Sequence, residues 1–311
     1  MIIIEHTEDI EKPFHKAVVT IGNFDGVHIG HQSLFHQVIQ KAEAIEGTSV
    51  AITFEPHPLR VLTQDQHPPL ITLYEQKKEL IAATGLDALV CLPFNRAFAD
   101  MPARAFIEDL LVDRIGMRAI IVGRDYSFGR RREGDIGLLQ ALGADLGYDV
   151  VVADWITAAH GGKNRISSTR IRELVMAGHL AEARQLLGRH YQIRGTVIAG
   201  RNRGGKLLGF PTANVQLYDE LCPQAGIYAV TVDLEGQFHQ GVANIGYSPT
   251  FDDHLFTVEV HILDFNADIY GRKIKINFLQ RIRDEIKFES FEALSDQIRK
   301  DIEIARDLFN A

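Results

Sequence analysis

The sequence predicts an α/β protein of two domains, in which a doubly wound parallel sheet precedes a small antiparallel β-barrel. Its 311 residues are about twice the length of a typical domain. The first part alternates β-branched runs with segments of helical spacing, and the last third consists of short strands separated by turns. The pattern changes from alternating strands and helices to short strands near Gly188, so the predicted domains are residues 1–187 and 188–311.

Composition narrows the class of protein before any motif is considered. The chain is 46% hydrophobic and 24% charged, as expected of a globular protein with a proper core. With 33 Lys and Arg against 41 Asp and Glu, the net charge of −8 argues against nucleic acid or an anionic membrane as a partner. Cys91 and Cys222 are too few for a disulfide framework or a cysteine zinc site. An acidic N-terminal segment and the lack of a long apolar stretch predict a soluble, cytoplasmic protein.

The strands of the first domain are predicted from short β-branched runs. Between them, residues such as Leu34, Val38 and Ala42 recur at helical spacing. Nearly continuous apolar strands that alternate with helices indicate a parallel sheet covered on both faces, and such sheets bind ligands beyond the carboxyl ends of their strands. The predicted strands are AVVTI, SVAITF, DALVCL, RAIIV and DVVVAD.

The segment GNFDGVHIGHQ (22–32) follows the first of these strands and holds two histidines. A strand, a glycine-containing turn and a helix N-terminus form an anion site, because unpaired N–H groups and the helix dipole favour a phosphate. Gly30 would let a phosphate approach the backbone, while His28 and His31 would share one face of the first turn and donate hydrogen bonds. The spacing also permits a metal site completed by His36 or His57, or a pair of purely structural histidines.

A second segment, KNRISSTRIRELV (163–175), breaks a local rule of helix chemistry. Residues 167–169 are candidate N-caps, yet Arg170 and Arg172 follow in the first turn, where the helix dipole disfavours cations. No capping box compensates for them. Bound phosphates would compensate, and the alternative is two exposed arginines at a small energetic cost.

Together with TFEPHP (53–58) and VGRDYSFGRRREGD (122–135), these segments resemble the HxGH nucleotidyltransferase superfamily, and within it the FMN adenylyltransferase half of bacterial bifunctional FAD synthetases. The resemblance implies that the phosphate of FMN attacks the α-phosphorus of ATP and that pyrophosphate leaves. It implies that His28 and His31 hold the ATP phosphates as charge builds. It assigns to the nucleotide and its phosphates Asn23, Gly30, Ser168, Thr169 and Arg172, and to the flavin Asp125, Phe128 and Gly129.

Two short helices are predicted at the end of the first domain, and the second domain is predicted to contain a set of strands and a closing helix. ELVMAGHLAEARQLLG (173–188) has the spacing of the two short helices, and FEALSDQIRKDIEIARDLF (291–309) reads as an amphipathic helix. Strands at this density indicate a small antiparallel barrel or sandwich. The predicted strands are YQIRGTVIA, GIYAVTVDL, QFHQGVANIG, FTVEVHIL and KIKINFL.

A glycine-rich segment, GRNRGGKL (200–207), comes close to a Walker A loop without being one. Leu207 stands where a Ser or Thr would hold Mg²⁺, and Pro211 prevents the long helix that should follow. The P-loop interpretation therefore fails, and the pattern alone favours a glycine-rich turn between strands.

The next segment, GFPTAN (209–214), carries oxygen ligands at alternate residues. Thr212 and Asn214 point the same way if the chain is extended, and Mg²⁺ favours hard oxygens of this kind, although an ordinary turn also fits. In FTVEVHIL, Val258 and its apolar neighbours share one face, while Glu259 lies on the other face with His261. On pattern alone, Glu259 is a solvent-facing strand residue.

GKLLGFPTAN, SPTF, TVEVHILDF and DIYGRKIKINFLQRIRDEIKF resemble a riboflavin kinase domain. The resemblance implies that Thr212 and Asn214 ligate Mg²⁺ with ATP and that Glu259 is the general base for the ribityl 5′-hydroxyl. It also implies that the glycine turn closes over the ATP phosphates, with Lys206 where many bacterial members carry Arg. The turn residues assigned to this role are Gly204, Gly205 and Lys206.

The two resemblances together predict a bifunctional enzyme. Riboflavin and ATP would give FMN, and FMN and ATP would give FAD, with Mg²⁺ at both sites and FMN and FAD as product ligands. Two alternatives stay open at this point: a nucleotidyltransferase with a different acceptor, and a flavin-sensing protein whose catalytic sites have decayed. The intact His28, His31, Arg172 and Glu259 argue against decay.

Overall fold

A computed structural model of the chain describes residues 1–63, 67–154, 165–199, 209–247 and 256–310. The chain divides into two compact units, Met1–Ser168 and Thr169–Ala311. Residues 169–187, which the sequence prediction placed in the first domain, are therefore grouped with the second unit. The glycine turn that contains Gly204, Gly205 and Lys206 lies outside the described residues.

The first unit is built on a six-stranded parallel sheet in the order β1-β4-β3-β2-β5-β6. The predicted doubly wound parallel sheet is thereby confirmed, and each of the five predicted strands is present. The additional strand, β1, is three residues long and forms the sheet edge beside β4. The strands are β1 Ile2–Ile4, β2 Ala17–Ile21, β3 Ser49–Glu55, β4 Ala88–Pro93, β5 Met117–Gly123 and β6 Asp149–Ala153.

Helices cover both faces of this sheet because successive strand residues point to opposite sides. Val19 and Ile21 belong to one buried cluster, with a π-helical segment at Phe106–Arg114, whereas Val18 belongs to the cluster on the other face. That second cluster includes Val38, one of the residues whose spacing predicted a helix. The α-helices of the unit are α1 Ile29–Ala44, α2 Pro58–Leu62, α3 Tyr74–Ala82, α4 Arg96–Ala99, α5 Ala103–Ala105 and α6 Ile136–Leu146.

The strand order places a topological switch point beside β2. Val19 pairs with Val50 of β3 on one side and with Ile120 of β5 on the other. The chain passes from β2 through β3 to β4 and then returns to β5. The loops after β2 and β5 therefore leave the same sheet edge side by side, which is where open α/β sheets bind ligands.

The second unit is a closed antiparallel barrel in the order β10-β11-β8-β7-β12-β9. The five predicted strands are all present, and the additional strand β8 contains Asn214. The two short helices and the closing helix are also confirmed. The strands are β7 Tyr191–Ile198, β8 Ala213–Gln216, β9 Gly226–Leu234, β10 Gln237–Tyr247, β11 Phe256–Ile262 and β12 Lys273–Arg283; the helices are α7 Ser168–Met176, α8 Leu180–Leu187 and α9 Phe291–Asn310.

Candidate active sites

The two histidines lie together where β2 gives way to α1. His28 is the N-cap of the helix, and its Nδ1 accepts a hydrogen bond from the backbone N–H of His31 at 3.3 Å. The two rings stack, with centroids 3.5 Å apart and an interplanar angle of 19°. The spacing of three residues therefore brings the rings together on one face, as predicted. Since Nδ1 accepts, the neutral His28 ring carries its proton on Nε2, which is then a hydrogen-bond donor.

The first turn of α1 also presents backbone donors. The N–H groups of Ile29 and Gly30 have no acceptor within the described residues, so the start of the helix can bind an anion. A Cβ at Gly30 would lie 3.1 Å from Cε1 and Nδ1 of the His28 ring. A larger residue at this position would therefore press on the His28 ring, which is a reason for glycine besides the approach of a phosphate.

A buried carboxylate holds the histidine loop in place. Asp25 is 4% exposed and accepts from the backbone N–H of Ile71 at 3.1 Å and of Thr72 at 3.0 Å. The Thr72 hydroxyl donates to the same carboxylate at 3.2 Å and accepts from the N–H of Gly26 at 3.0 Å. Asp25 is a functional residue that the motifs in the sequence did not reveal. The signal was a lone acid within GNFDGVHIGH, between an aromatic residue and a glycine.

Ser168 joins the second motif to this loop. Its hydroxyl donates to the backbone carbonyl of Asp25 at 2.8 Å, so its single O–H is already engaged. Thr169 is exposed and Arg172 is half-buried further along helix α7. Arg170 forms ion pairs with Glu173 at 3.3 Å and with Glu182 at 3.7 Å. These two acids compensate for the cation in the first turn, so Arg170 does not require a bound phosphate.

The TFEPHP segment supports the histidine loop from the neighbouring strand. The Thr53 hydroxyl donates to the backbone carbonyl of Asn23 at 3.2 Å, and the Asn23 side chain is exposed. His57 is buried, and its Nδ1 accepts from the N–H of Leu59 at 3.2 Å, which caps α2. The described residues contain no group of three His, Cys, Asp or Glu side chains placed to hold a metal.

A buried lysine, which the sequence analysis also missed, lies behind this segment. Lys77 Nζ donates to the carbonyl of Phe54 at 3.2 Å and is 4.0 Å from Glu55 Oε2. Burial lowers the pKa of Lys77, although the Glu55 carboxylate opposes the shift. Burial raises the pKa of Glu55, and Lys77 opposes that shift in turn. A lysine on a helix with mixed polarity gives no sequence signal of burial.

The loop after β5 contains the three residues assigned to the flavin. Phe128 is buried and stacks against Tyr126, with centroids 5.4 Å apart. Gly129 has a φ of 72°, and a Cβ there would lie 2.6 Å from Ala103 Cα, so the close approach requires glycine. Asp125 is exposed and forms a 2.8 Å ion pair with Arg165.

Phe128 belongs to a longer row of aromatic rings, which we call the aromatic row. Neighbouring rings have centroids 5.4–6.1 Å apart, as in Tyr126 against Phe128 and Phe98 against Phe106. The row collects side chains from around the carboxyl ends of β3, β4 and β5, and most of its members are half-exposed. Its members are Phe54, Phe94, Phe98, Phe106, Phe128 and Tyr126.

On the barrel, Glu259 of β11 pairs directly with Asn214 of β8. Val258 and Val260, on either side of Glu259, are buried in the barrel interior. Glu259 and Asn214 therefore point to the outer face, where directly paired residues are neighbours. The predicted alternation along β11 is confirmed, but Glu259 is half-buried rather than simply solvent-facing, and burial raises its pKa.

His261 fixes the segment that leads into Thr212. One of its ring nitrogens is hydrogen-bonded to the Pro211 carbonyl at 2.8 Å, and its ring meets Phe210 edge to face at 5.7 Å. The residue before Thr212 is therefore tied to β11, the strand of Glu259. The donor set of this region, a threonine hydroxyl and an asparagine amide beside a carboxylate, consists of the hard oxygens that Mg²⁺ prefers.

Comparison with known proteins gives the same two-part organisation. The family model for FAD synthetase matches residues 10–170, and the model for riboflavin kinase matches residues 187–309. A bifunctional riboflavin kinase/FMN adenylyltransferase from Haemophilus influenzae is 36% identical, with 100% of both chains covered. The protein of the same description from Escherichia coli K12 is 39% identical, with 96% of this chain and 95% of the relative covered.

The chain is thus a transferase with two ATP-dependent activities. It belongs to the bifunctional riboflavin kinase/FMN adenylyltransferase family and makes FMN from riboflavin and FAD from FMN. A solved structure described as a macrolide-efflux protein from Streptococcus pneumoniae has a TM-score of 0.87 to this chain, at 33% identity and with 98% of both chains covered. Among the described residues, none of the helices combines the length and apolar character needed to cross a bilayer.

Proposed function

We propose that the two activities are divided along the chain, with FMN adenylylation at the sheet edge of the first unit and riboflavin phosphorylation on the outer face of the barrel. The stacked His28 and His31 at the start of α1 carry the first assignment. The pairing of Glu259 with Asn214 supports the second. Since both reactions consume ATP, the proposed location is the cytoplasm.

In adenylylation, a phosphate oxygen of FMN forms a bond to the α-phosphorus of ATP, and the bond to the departing pyrophosphate breaks. No protein nucleophile is needed, so the enzyme contributes positioning and charge stabilisation. His28 and His31 donate to the phosphates as negative charge builds, and the N–H groups of Ile29 and Gly30 add fixed donors. Asp25 holds these groups in place through Ile71 and Thr72.

The pyrophosphate side is assigned to the start of α7. Thr169 and Arg172 bind the β- and γ-phosphates, and the fork of donors on Arg172 suits their oxygens. Ser168 contributes through its tether to the Asp25 carbonyl and through its backbone N–H, because its hydroxyl proton is engaged. Asn23 helps to place the nucleotide from the loop after β2.

The flavin is assigned to the half-exposed side of the aromatic row. A flat, largely apolar ring system gains from packing on aromatic side chains. Phe128 supports the row from within, Gly129 lets its backbone pack against Ala103, and Asp125 provides a polar group at the exposed end.

In the kinase, Glu259 accepts the proton of the ribityl 5′-hydroxyl as that oxygen bonds to the γ-phosphorus of ATP and ADP leaves. The half-buried position, which raises the pKa of the carboxylate, makes it a better proton acceptor than an exposed glutamate. Thr212 and Asn214 would hold Mg²⁺, which would neutralise charge on the ATP phosphates. Gly204, Gly205 and Lys206 keep their proposed role over those phosphates.

Two reciprocal substitutions test whether adenylylation and phosphorylation take place at the two different sites. His31→Ala is expected to lose at least about 3 kcal/mol of transition-state stabilisation in adenylylation, with riboflavin phosphorylation nearly unchanged. Glu259→Gln keeps the shape of the side chain and removes the base, so phosphorylation should fall by about 10²-fold or more while supplied FMN is still converted to FAD. Each variant is the folding control for the other. Equal loss of both activities in either variant contradicts its assigned role.

The boundary is tested with fragments that begin at Gly188 and at Thr169. Helix α8 packs against β7 and β12 and buries Leu180 and Leu187, so the shorter fragment exposes apolar surface of the barrel. Both fragments are expected to make FMN and no FAD, with the longer one unfolding at higher temperature. A folded Thr169–Ala311 fragment without kinase activity would show that the kinase site needs residues from the first unit.

A further inference from the structure

Asn244 of β10 occupies the strand position directly opposite Glu259, on the side away from Asn214. Its neighbours Ala243 and Ile245 are fully buried in the barrel interior, which places Asn244 on the same outer face as Glu259. Asn214, Glu259 and Asn244 therefore form one polar row across β8, β11 and β10. Asn244 has no part in the reaction steps of either active site as proposed.

The Asn244 amide oxygen is buried and has no hydrogen-bond partner in the described part of the chain. The great majority of buried polar atoms in folded proteins are hydrogen-bonded, so a buried acceptor without a donor calls for an explanation. A ligand hydroxyl would supply the missing donor. A further acceptor, the Glu285 carboxylate, lies against Gly246, two residues further along the same face of β10.

The order of the polar row predicts the direction of the substrate. In phosphoryl transfer the attacking oxygen lies between the phosphorus and the rest of the alcohol. Asn214 marks the nucleotide side of Glu259, so the alcohol chain leaves on the Asn244 side. Neighbouring strands are about 4.8 Å apart. That spacing suits a reacting hydroxyl on Glu259 and a second hydroxyl, one or two carbons further along, on Asn244.

We propose that the Asn244 amide oxygen accepts a hydrogen bond from the ribityl hydroxyl at C3′ or C4′ and so aligns the 5′-hydroxyl with Glu259. The inference rests on the proposed role of Glu259 as the general base. Asn244 is then a specificity residue of the kinase, which selects a polyol chain over an alcohol without a second hydroxyl. A site built to bind a hydroxyl discriminates strongly against analogues that lack it, because its own polar group is left without a partner.

The test compares riboflavin with 3′-deoxyriboflavin and 4′-deoxyriboflavin as kinase substrates of the full chain. The measured quantity is kcat/KM for total phosphorylated flavin, the FMN-type and FAD-type products together. The parent enzyme is expected to lose about tenfold on one analogue. Asn244→Leu should lose a similar factor on riboflavin and then treat riboflavin and that analogue alike. Gln240→Leu, the same kind of change on the same strand, is the matched control and should discriminate like the parent.

The proposal is overturned if the parent enzyme has the same kcat/KM for both analogues as for riboflavin. It is also overturned if the Asn244→Leu variant discriminates between riboflavin and the analogues as strongly as the parent does. A general loss of packing would lower both rates and preserve their ratio, so the ratio separates binding from structure. If Asn244→Leu does not fold, Asn244→Ala is compared in the same way. Glu259→Gln is assayed in the same experiment. If this variant keeps its kinase activity, Glu259 is not the general base, whereas the ratio of kcat/KM for riboflavin to that for each analogue tests the role of Asn244 alone.

Discussion

Asp25→Ala removes the buried carboxylate that joins the histidine loop to residues 71–72. The change leaves the N–H groups of Ile71 and Thr72 without their acceptor, and both residues are only 2% exposed. A buried amide without a partner costs about 1–3 kcal/mol, and water entering the vacated space recovers part of that. We expect the free energy of unfolding of the first unit to fall by about 3 kcal/mol.

The assay is urea unfolding of the full chain followed by the fluorescence of Trp155, the single tryptophan of the sequence. Asp135→Ala is the matched control. The Asp135 carboxylate also accepts a backbone N–H, that of Leu138 at 2.9 Å, but it does so as the exposed N-cap of α6. Loss of such a cap costs about 1 kcal/mol.

The comparison of the two variants tests whether the buried Asp25 carboxylate holds the histidine loop in place. If Asp25→Ala destabilises the protein no more than Asp135→Ala does, the buried carboxylate does not hold the loop and the reasoning is refuted. The activities give a second measure, because a displaced histidine loop should lower FMN adenylylation and leave riboflavin phosphorylation near the parent rate. An equal fall in both activities would indicate general unfolding instead.

Three further results are expected. Burial raises the pKa of Glu259 above the ordinary value of 4.5, so kinase activity should decline at acid pH with an apparent pKa above that value. The adenylylation of supplied FMN, measured over the same pH range, should not show this decline. Gly129→Ala should lower thermal stability by about 1–3 kcal/mol because of its positive φ and its contact with Ala103, as measured by calorimetry. Burial lowers the pKa of Lys77, so the folded state binds that proton less tightly than the unfolded chain, and the stability contributed by this group rises as the pH approaches 10.5 from below. Lys77→Met should remove that slope from unfolding measurements made over a series of pH values below 10.5.

The sequence by itself determined the features that depend on short-range chemistry. The apolar runs fixed the central strands of both units, and helical spacing identified α1 and the closing helix α9. His28 and His31 are three residues apart across a helix start, so their stacking follows from local geometry. The two-residue period of a strand likewise placed Glu259 on the face opposite Val258.

The tertiary structure alone decided which distant residues meet. The carboxylate of Asp25 binds amides 46 and 47 residues away. The aromatic row combines Phe54 of β3 with rings that follow β4 and β5 in the chain. Asn244 gains its place beside Glu259 from the register of β10 against β11, and a shift of one residue would turn it into the barrel interior. Periodicity states which face a side chain takes along its own strand. Only the pairing of strands, which depends on burial of the whole core, states what lies next to it.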